Sequence, residues 1–232
     1  MVSGKKQPVI LFDLDGTLID STEAILDSFR QSYDELGGIY PGAEAIRAMI
    51  GHPLSEMYRS FGVPSARVEE YVATYKRHYR QVHTLKTTLL PGAEEAISEA
   101  ADFARLGVVT TKTGVYSRQL LEHFGVMDYF EVLIGSEDVR RHKPHPEPVL
   151  KALELMGGDP QRSRLVGDTC LDVGAARAAN VVPIGVCCGY GSEEELRRCG
   201  AELCADALSA VKKIRKEFEM PRNPRQLKAL LS

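Results

Sequence analysis

With 232 residues, 44% of them hydrophobic and 26% charged, the chain has a globular composition and the length for one sizeable core plus a smaller second unit. Its formal net charge of -3 supplies no overall attraction to nucleic acid or to an anionic membrane surface, so neither partner is expected. No apolar run approaches the roughly eighteen residues needed to cross a bilayer, and the five cysteines, odd in number and without a CxxC pair, suggest neither a disulfide framework nor a thiolate zinc site, so a cytoplasmic location is expected.

In chain order, Pro8 to Asp13 reads as a buried strand. Ser21 to Leu36 reads as a helix, with Ala24, Ile25, Ser28, Phe29, Tyr33 and Leu36 at helical spacing and Gly37-Gly38 as its stop. From there to about Leu85 the pattern is helical, broken at Pro41-Gly42, Gly51-His52-Pro53 and Gly62-Val63-Pro64, with no strand. After Leu89-Leu90-Pro91-Gly92 the pattern alternates. Helices are expected over Ala93 to Ala104, Tyr116 to Phe124, Pro146 to Met156 and Leu171 to Ala179. Strands are expected over Gly107 to Thr110, Val132 to Ile134, Arg164 to Val166 and Val182 to Val186. Such alternation predicts a parallel α/β sheet covered by helices on both faces, with the first strand in the same sheet and the helical block inserted after it.

Ligands of open α/β sheets sit beyond the carboxyl ends of the strands. Every predicted strand end carries polar groups: Asp13 and Asp15, then Thr110, Thr111 and Lys112, then Glu137 and Asp138 with the later Lys143, then Gly167-Asp168.

Four of these stretches resemble, in order, the haloacid dehalogenase superfamily of phosphotransferases: Asp13-Leu14-Asp15-Gly16-Thr17-Leu18, Val109-Thr110-Thr111-Lys112, Lys143-Pro144-His145-Pro146 and Gly167-Asp168-Thr169-Cys170-Leu171-Asp172. The resemblance covers about residues 8 to 210. It implies a Rossmann-like parallel-sheet core formed by residues 1–17 and 88–232 and an inserted all-helical cap domain, residues 18–87. It also implies phosphoryl transfer, because Asp15 stands where the dehalogenase branch lacks its second aspartate.

The residue types suit that chemistry. A carboxylate can attack phosphorus and split hydrolysis into two displacements, and Asp13 is the candidate nucleophile. Clustered carboxylates disfavour one another's ionisation unless a cation intervenes, so Asp13, Asp15 and Asp168 together call for a hard divalent ion, Mg²⁺ above all. The resemblance implies that these positions supply the ligands, Asp15 through its backbone carbonyl, with Asp172 as a further ligand or a partner of metal-bound water. The Asp15 side chain is then free to protonate the leaving oxygen and activate water. Lys143 and the Thr110 hydroxyl would mask phosphoryl charge, Thr111 would contribute its backbone N–H, and Gly16 would let the backbone turn closely around the phosphate.

Other features read as structural. His142 and His145 lack further ligands nearby, Cys170 reads as a small packing residue, the run Lys76 to Arg80 as a solvated helix face, and Asn180 as a left-handed helix stop.

The stretch Ile50-Gly51-His52-Pro53-Leu54 resembles the cap loop of phosphoglycolate phosphatases and related pyrophosphatases, with Arg47 and His52 as candidates to contact a substrate carboxylate. The expected partner is a small phosphorylated metabolite, the expected assembly a monomer or homodimer. Phosphoglycolate phosphatase ranks first, ahead of a pyrophosphatase or a broad sugar-phosphate enzyme of phosphatase or phosphoglucomutase-like type. A receiver-like phospho-switch or a silent binding protein is the reading from another class. Asp15 and the helical insertion argue against the switch, and the presence of Asp13, Asp15, Lys143 and Asp168 together argues against the silent protein.

Overall fold

The computed structural model describes residues 7–219. The chain enters through β1 (Val9–Phe12), all four residues buried. Ile10 and Phe12 join one apolar cluster and Val9 and Leu11 another, the period-two alternation of a strand covered on both faces. A tight loop leads to β2 (Ile19–Asp20), α1 (Thr22–Leu36), α2 (Ala43–Arg47), α3 (Leu54–Ser60), α4 (Val68–Val82) and β3 (Thr88–Leu89). Then follow α5 (Ala93–Ala101), β4 (Arg105–Val109), α6 (Gly114–His123), β5 (Phe130–Ile134), α7 (Glu147–Met156), β6 (Ser163–Gly167) and α8 (Cys170–Ala178). The described chain closes with β7 (Val182–Val186), α9 (Glu193–Cys199), β8 (Glu202–Cys204) and α10 (Ala207–Glu219).

Six strands form one parallel sheet in the order β5-β4-β1-β6-β7-β8, the α/β architecture that the alternating pattern predicts. Residues of α5, α6 and α10 pack with Ile10, Phe12, Leu106 and Val108 on one face, and residues of α7 and α8 pack with Val9, Leu11, Val109 and Leu165 on the other. The first strand is central, flanked by β4 and β6, so Asp13 and Asp15 emerge at the middle of the sheet's carboxyl edge.

Helices α1 to α4 carry an apolar cluster of their own, built on Phe29, Tyr33, Tyr58, Tyr71, Tyr75 and Tyr79, and rest on Tyr116 of α6 and Tyr190. The chain enters and leaves this block side by side: Ile19 pairs with Leu89 and Asp20 with Thr88 in an antiparallel ribbon, which Leu90 N–H extends by donating to the Leu18 carbonyl at 2.9 Å. Strands of two residues carry no periodicity, which is why the sequence shows none here. The elements α9, β8 and α10 lie beyond the last strand read in sequence. The segment from Pro221, where Leu227, Leu230 and Leu231 suggest a docked helix or a partner contact, lies outside the described residues.

One expectation is corrected. Cys170 and Cys199 form a disulfide, with Cα atoms 5.9 Å apart, whereas cysteine count and spacing pointed to none and Cys170 read as a packing residue. The pairing arises from the packing of α8 against α9, which sequence spacing does not encode. Asn180 does take the left-handed conformation, with φ of 57°. Among the described residues no helix is long and apolar enough to cross a membrane.

Candidate active site

The carboxyl ends of β1, β4 and β6 converge. Asp13 N–H donates to the Val166 carbonyl at 2.9 Å and Thr110 N–H to that of Ile134 at 2.9 Å, so the ladders run straight into the residues that carry the polar groups. The loop after β5 brings Lys143 beneath them. Its ammonium donates to Asp13 Oδ1 at 2.7 Å, Asp172 Oδ1 at 2.6 Å and the Val109 carbonyl at 3.1 Å, which uses all three protons. Asp172, on the first turn of α8, accepts from Thr169 N–H and Oγ1 through its other oxygen, a capping box that fixes both the helix start and the carboxylate. Asp168 accepts from Thr17 Oγ1 at 3.1 Å and Tyr190 N–H at 2.8 Å.

Oxygens of Asp13, Asp168 and Asp172 lie within 4.8 Å of one another, all three residues buried. Burial pushes the Asp13 carboxyl up from 3.8 to about 7, against the pull of Lys143, with the Asp172 charge adding to the rise. Burial, then the charges of Asp13 and Asp172, raise Asp168 well above the ordinary carboxylate range. Burial works against the Lys143 ammonium, yet Asp13 and Asp172 outweigh it and hold its pKa above that of an ordinary lysine. Two of the three buried carboxylates, Asp13 and Asp172, thus share one ammonium, and Asp168, fully buried, meets no cation among the described residues. An uncompensated buried charge of this kind is costly, and an all-oxygen donor set fits a hard divalent cation. Close approach matters around Asp168: a Cβ on Gly16 would collide with its carboxylate and the Tyr190 ring, and one on Gly189 would meet the same carboxylate and the Gly16 carbonyl. Gly16, at φ of 81°, therefore makes room beside Asp168.

The Asp15 side chain turns away from this trio, towards the helical block. Its Oδ1 accepts from Ser21 Oγ and pairs with the Lys112 ammonium at 3.1 Å, and Lys112 also donates to Tyr79 Oη at 2.8 Å. Burial opposes the Lys112 charge, but Asp15 and Tyr79 hold its pKa above the ordinary lysine value. The Thr110 hydroxyl accepts from Lys112 N–H at 3.1 Å and keeps its own proton to donate, whereas Thr111 spends its hydroxyl proton on the Gly51 carbonyl at 2.8 Å.

Asp15 lines a cavity of about 290 Å³ walled by Ile25, Ile50, Met57, Tyr75, Tyr79 and Tyr116, with Lys76, Lys112 and His142 at its polar side. His52 lies in this wall, beside Glu56. Arg47 does not: it pairs with Glu44 and lines another groove with Gly16 and Tyr190. The Lys76 to Arg80 run is likewise only half solvated. Arg77 and His78 meet Glu35 at the surface, while Tyr79 is buried against Lys112. The spacing Val68, Tyr71, Tyr75, Tyr79 marks that inward face and was the available signal for Tyr79. Lys112 stood among the strand-end residues without an assigned part, its partner Tyr79 being 33 positions away.

Residues 10–186 match the family model described as haloacid dehalogenase-like hydrolase. The phosphoglycolate phosphatase of Aquifex aeolicus is 33% identical, over 78% of this chain and 85% of its own. The pyrophosphatase PpaX of Halalkalibacterium halodurans is 34% identical, over 74% of this chain and 80% of its own. The crystal structure of a predicted phosphatase from Clostridium acetobutylicum superposes with a TM-score of 0.82 at 28% identity, covering 91% of this chain and 100% of the other.

Proposed function

Because the chain belongs to the haloacid dehalogenase-like hydrolase family, we propose that it is a Mg²⁺-dependent phosphatase that hydrolyses a small phosphate monoester through an aspartyl phosphate on Asp13. The observation that carries this reading is the buried trio Asp13, Asp168 and Asp172, of which Asp13 and Asp172 share the ammonium of Lys143, with Asp15 two residues beyond Asp13 and lining a cavity. Asp13 attacks phosphorus as the ester bond breaks, and Asp15 gives its proton to the departing oxygen. Asp15 then takes a proton from the water that attacks the aspartyl phosphate, which releases phosphate and restores Asp13. Lys143, the Thr110 hydroxyl and the Thr111 N–H stabilise charge on the phosphoryl oxygens without reorganising. Asp13, Asp168 and the backbone carbonyl of Asp15 would hold Mg²⁺, with Asp172 beside them, and the ion would supply neutralisation of the phosphoryl charge.

Residues 18–87 act as a cap in this reading, supported by their separate apolar cluster and by the ribbon through which both chain crossings pass. Closure of such a unit over Asp15 excludes water from the reacting centre. The names of the relatives support both 2-phosphoglycolate and pyrophosphate as substrates, and the cap-loop resemblance is what ranks 2-phosphoglycolate first. The size and aromatic wall of the cavity favour, as a second reading, a broader range of phosphate esters.

The test is phosphate release from 2-phosphoglycolate, pyrophosphate, glucose 1-phosphate, glucose 6-phosphate and nucleoside monophosphates, with and without Mg²⁺, beside Asp13→Asn. Multiple turnovers that need Mg²⁺ and vanish in the variant are expected. A single stoichiometric phosphorylation without turnover would replace the phosphatase by a phospho-switch, and no reaction with any compound would overturn the substrate ranking.

A further inference from the structure

Lys112 belongs to the sheet-bearing part of the molecule, yet its ammonium is shared between Asp15 and Tyr79 of α4, and its side chain is only 8% exposed. Its backbone N–H is tied to Thr110 Oγ1, so the residue is fixed at both ends. Two donors, Ser21 Oγ and Lys112 Nζ, converge on Asp15 Oδ1, while Oδ2 accepts no hydrogen bond from any described residue. One oxygen is thereby pinned and the other is left for a proton. Tyr79 is itself held, stacked on Tyr75 at 5.5 Å and edge-on to Tyr116 at 5.4 Å.

We propose that Lys112 is a positioning residue for proton transfer to the leaving group: it clamps Asp15 Oδ1 so that Oδ2 faces the departing oxygen, and it does so only while Tyr79 of the helical insert sits over the site. The inference rests on the reading of Asp15 as the proton donor. As the bond from phosphorus to the ester oxygen breaks, the Asp15 proton moves to that oxygen and the carboxylate left behind is balanced by the neighbouring ammonium. The clamp matters most when the leaving group is a strong base and little when it departs as a stable anion.

The test measures the first turnover by rapid quench for two esters: p-nitrophenyl phosphate, whose phenolate leaves unprotonated, and 2-phosphoglycolate or, if the panel turns it over faster, glucose 6-phosphate. Lys112→Met is expected to slow the alkyl ester on the order of 100-fold and p-nitrophenyl phosphate less than about 10-fold, within the range that positioned acids contribute. Lys112→Arg should recover part of the loss, and Tyr79→Phe, which keeps the ring and removes the hydroxyl, should show the same discrimination at smaller size. Tyr79→Phe carries the test if Lys112→Met does not fold. Equal slowing of both esters, or no slowing of either, overturns the assignment while Asp13-dependent cleavage stands. Absence of Asp13-dependent cleavage in the unsubstituted chain overturns the phosphatase reading and this inference with it.

Discussion

The sheet edge and the helical insert are built from different materials. Around β1 the core is largely aliphatic, with Phe12 and Phe130 as its buried aromatic pair, and the polar residues at its edge are buried and mutually bonded: Asp13, Asp172 and Lys143 interlock, with every proton of the ammonium engaged. The insert gathers aromatic side chains instead. All of the nine tyrosines except Tyr129 belong to its cluster or pack against it. Burial drives the Tyr33 hydroxyl up to about 12 and that of Tyr75 well above the ordinary range, so these two remain neutral donors and acceptors at any physiological pH. In the proposed reading the edge concentrates the charge that works on phosphorus, and the insert offers a largely aromatic wall, with Glu69 and Lys76 as its charged members, to whatever phosphorus is attached to. In this reading most of the chemistry and most of the selectivity sit in different regions, and the contact of Lys112 with Tyr79 is where the two meet.

The largest effect is expected at the edge. Lys143→Met should lower kcat by roughly 10³-fold or more, the scale on which cations that stabilise a transferring phosphoryl group act, for every substrate alike in steady-state assays. A loss confined to one substrate would break the division between the two regions. Next comes the insert: Tyr58, fully buried against Phe29 at 4.8 Å and bonded to Ser32, should cost about 3–5 kcal/mol of stability on truncation to Ala, by denaturant unfolding. In the fraction still folded, KM should change more than kcat.

A smaller, pH-dependent effect sharpens the contrast. With Asp13 raised from 3.8 to about 7, the folded chain binds more protons than the unfolded one across that interval, so in EDTA stability should fall as pH rises from about 4 to about 7 and change no further from this group. Thermal unfolding in EDTA should show this slope, and added Mg²⁺ should flatten it at the upper end. A metal-free chain most stable at pH 7 would contradict the burial argument. The smallest effect is expected for Arg47→Ala, an exposed pair with Glu44 outside the Asp15 cavity, within about 0.5 kcal/mol in stability and without change in kcat/KM. A tenfold drop for 2-phosphoglycolate alone would restore Arg47 to substrate recognition.

What the sequence disclosed follows the same division. Residues at strand ends sit in short contiguous stretches, and a parallel sheet brings those ends together whatever the intervening chain does, so Asp13, Asp15, Thr110 and Asp168 could be named as candidates from sequence, and Lys143, nine residues beyond β5, through the family resemblance of its own stretch. The pairing of Lys112 with Tyr79 could not, because it depends on how α4 lies over β4, and no local pattern encodes that. Arg47 and His52 are five positions apart yet line different cavities, which their spacing alone does not reveal. Periodicity located α1 and the sheet helices, but strands of two residues such as β2 and β3 leave no trace in it.

The disulfide has a practical consequence. Cys170 stands between Asp168 and Asp172 in the chain, and its bond to Cys199 ties the first turn of α8 to the end of α9. A dithiol added to protect Cys187, Cys188 and Cys204 also opens that tie, delivering two electrons and two protons to it. Preparations handled with and without reductant are then two chemical species differing next to the acidic trio, and rates from one should not be pooled with rates from the other.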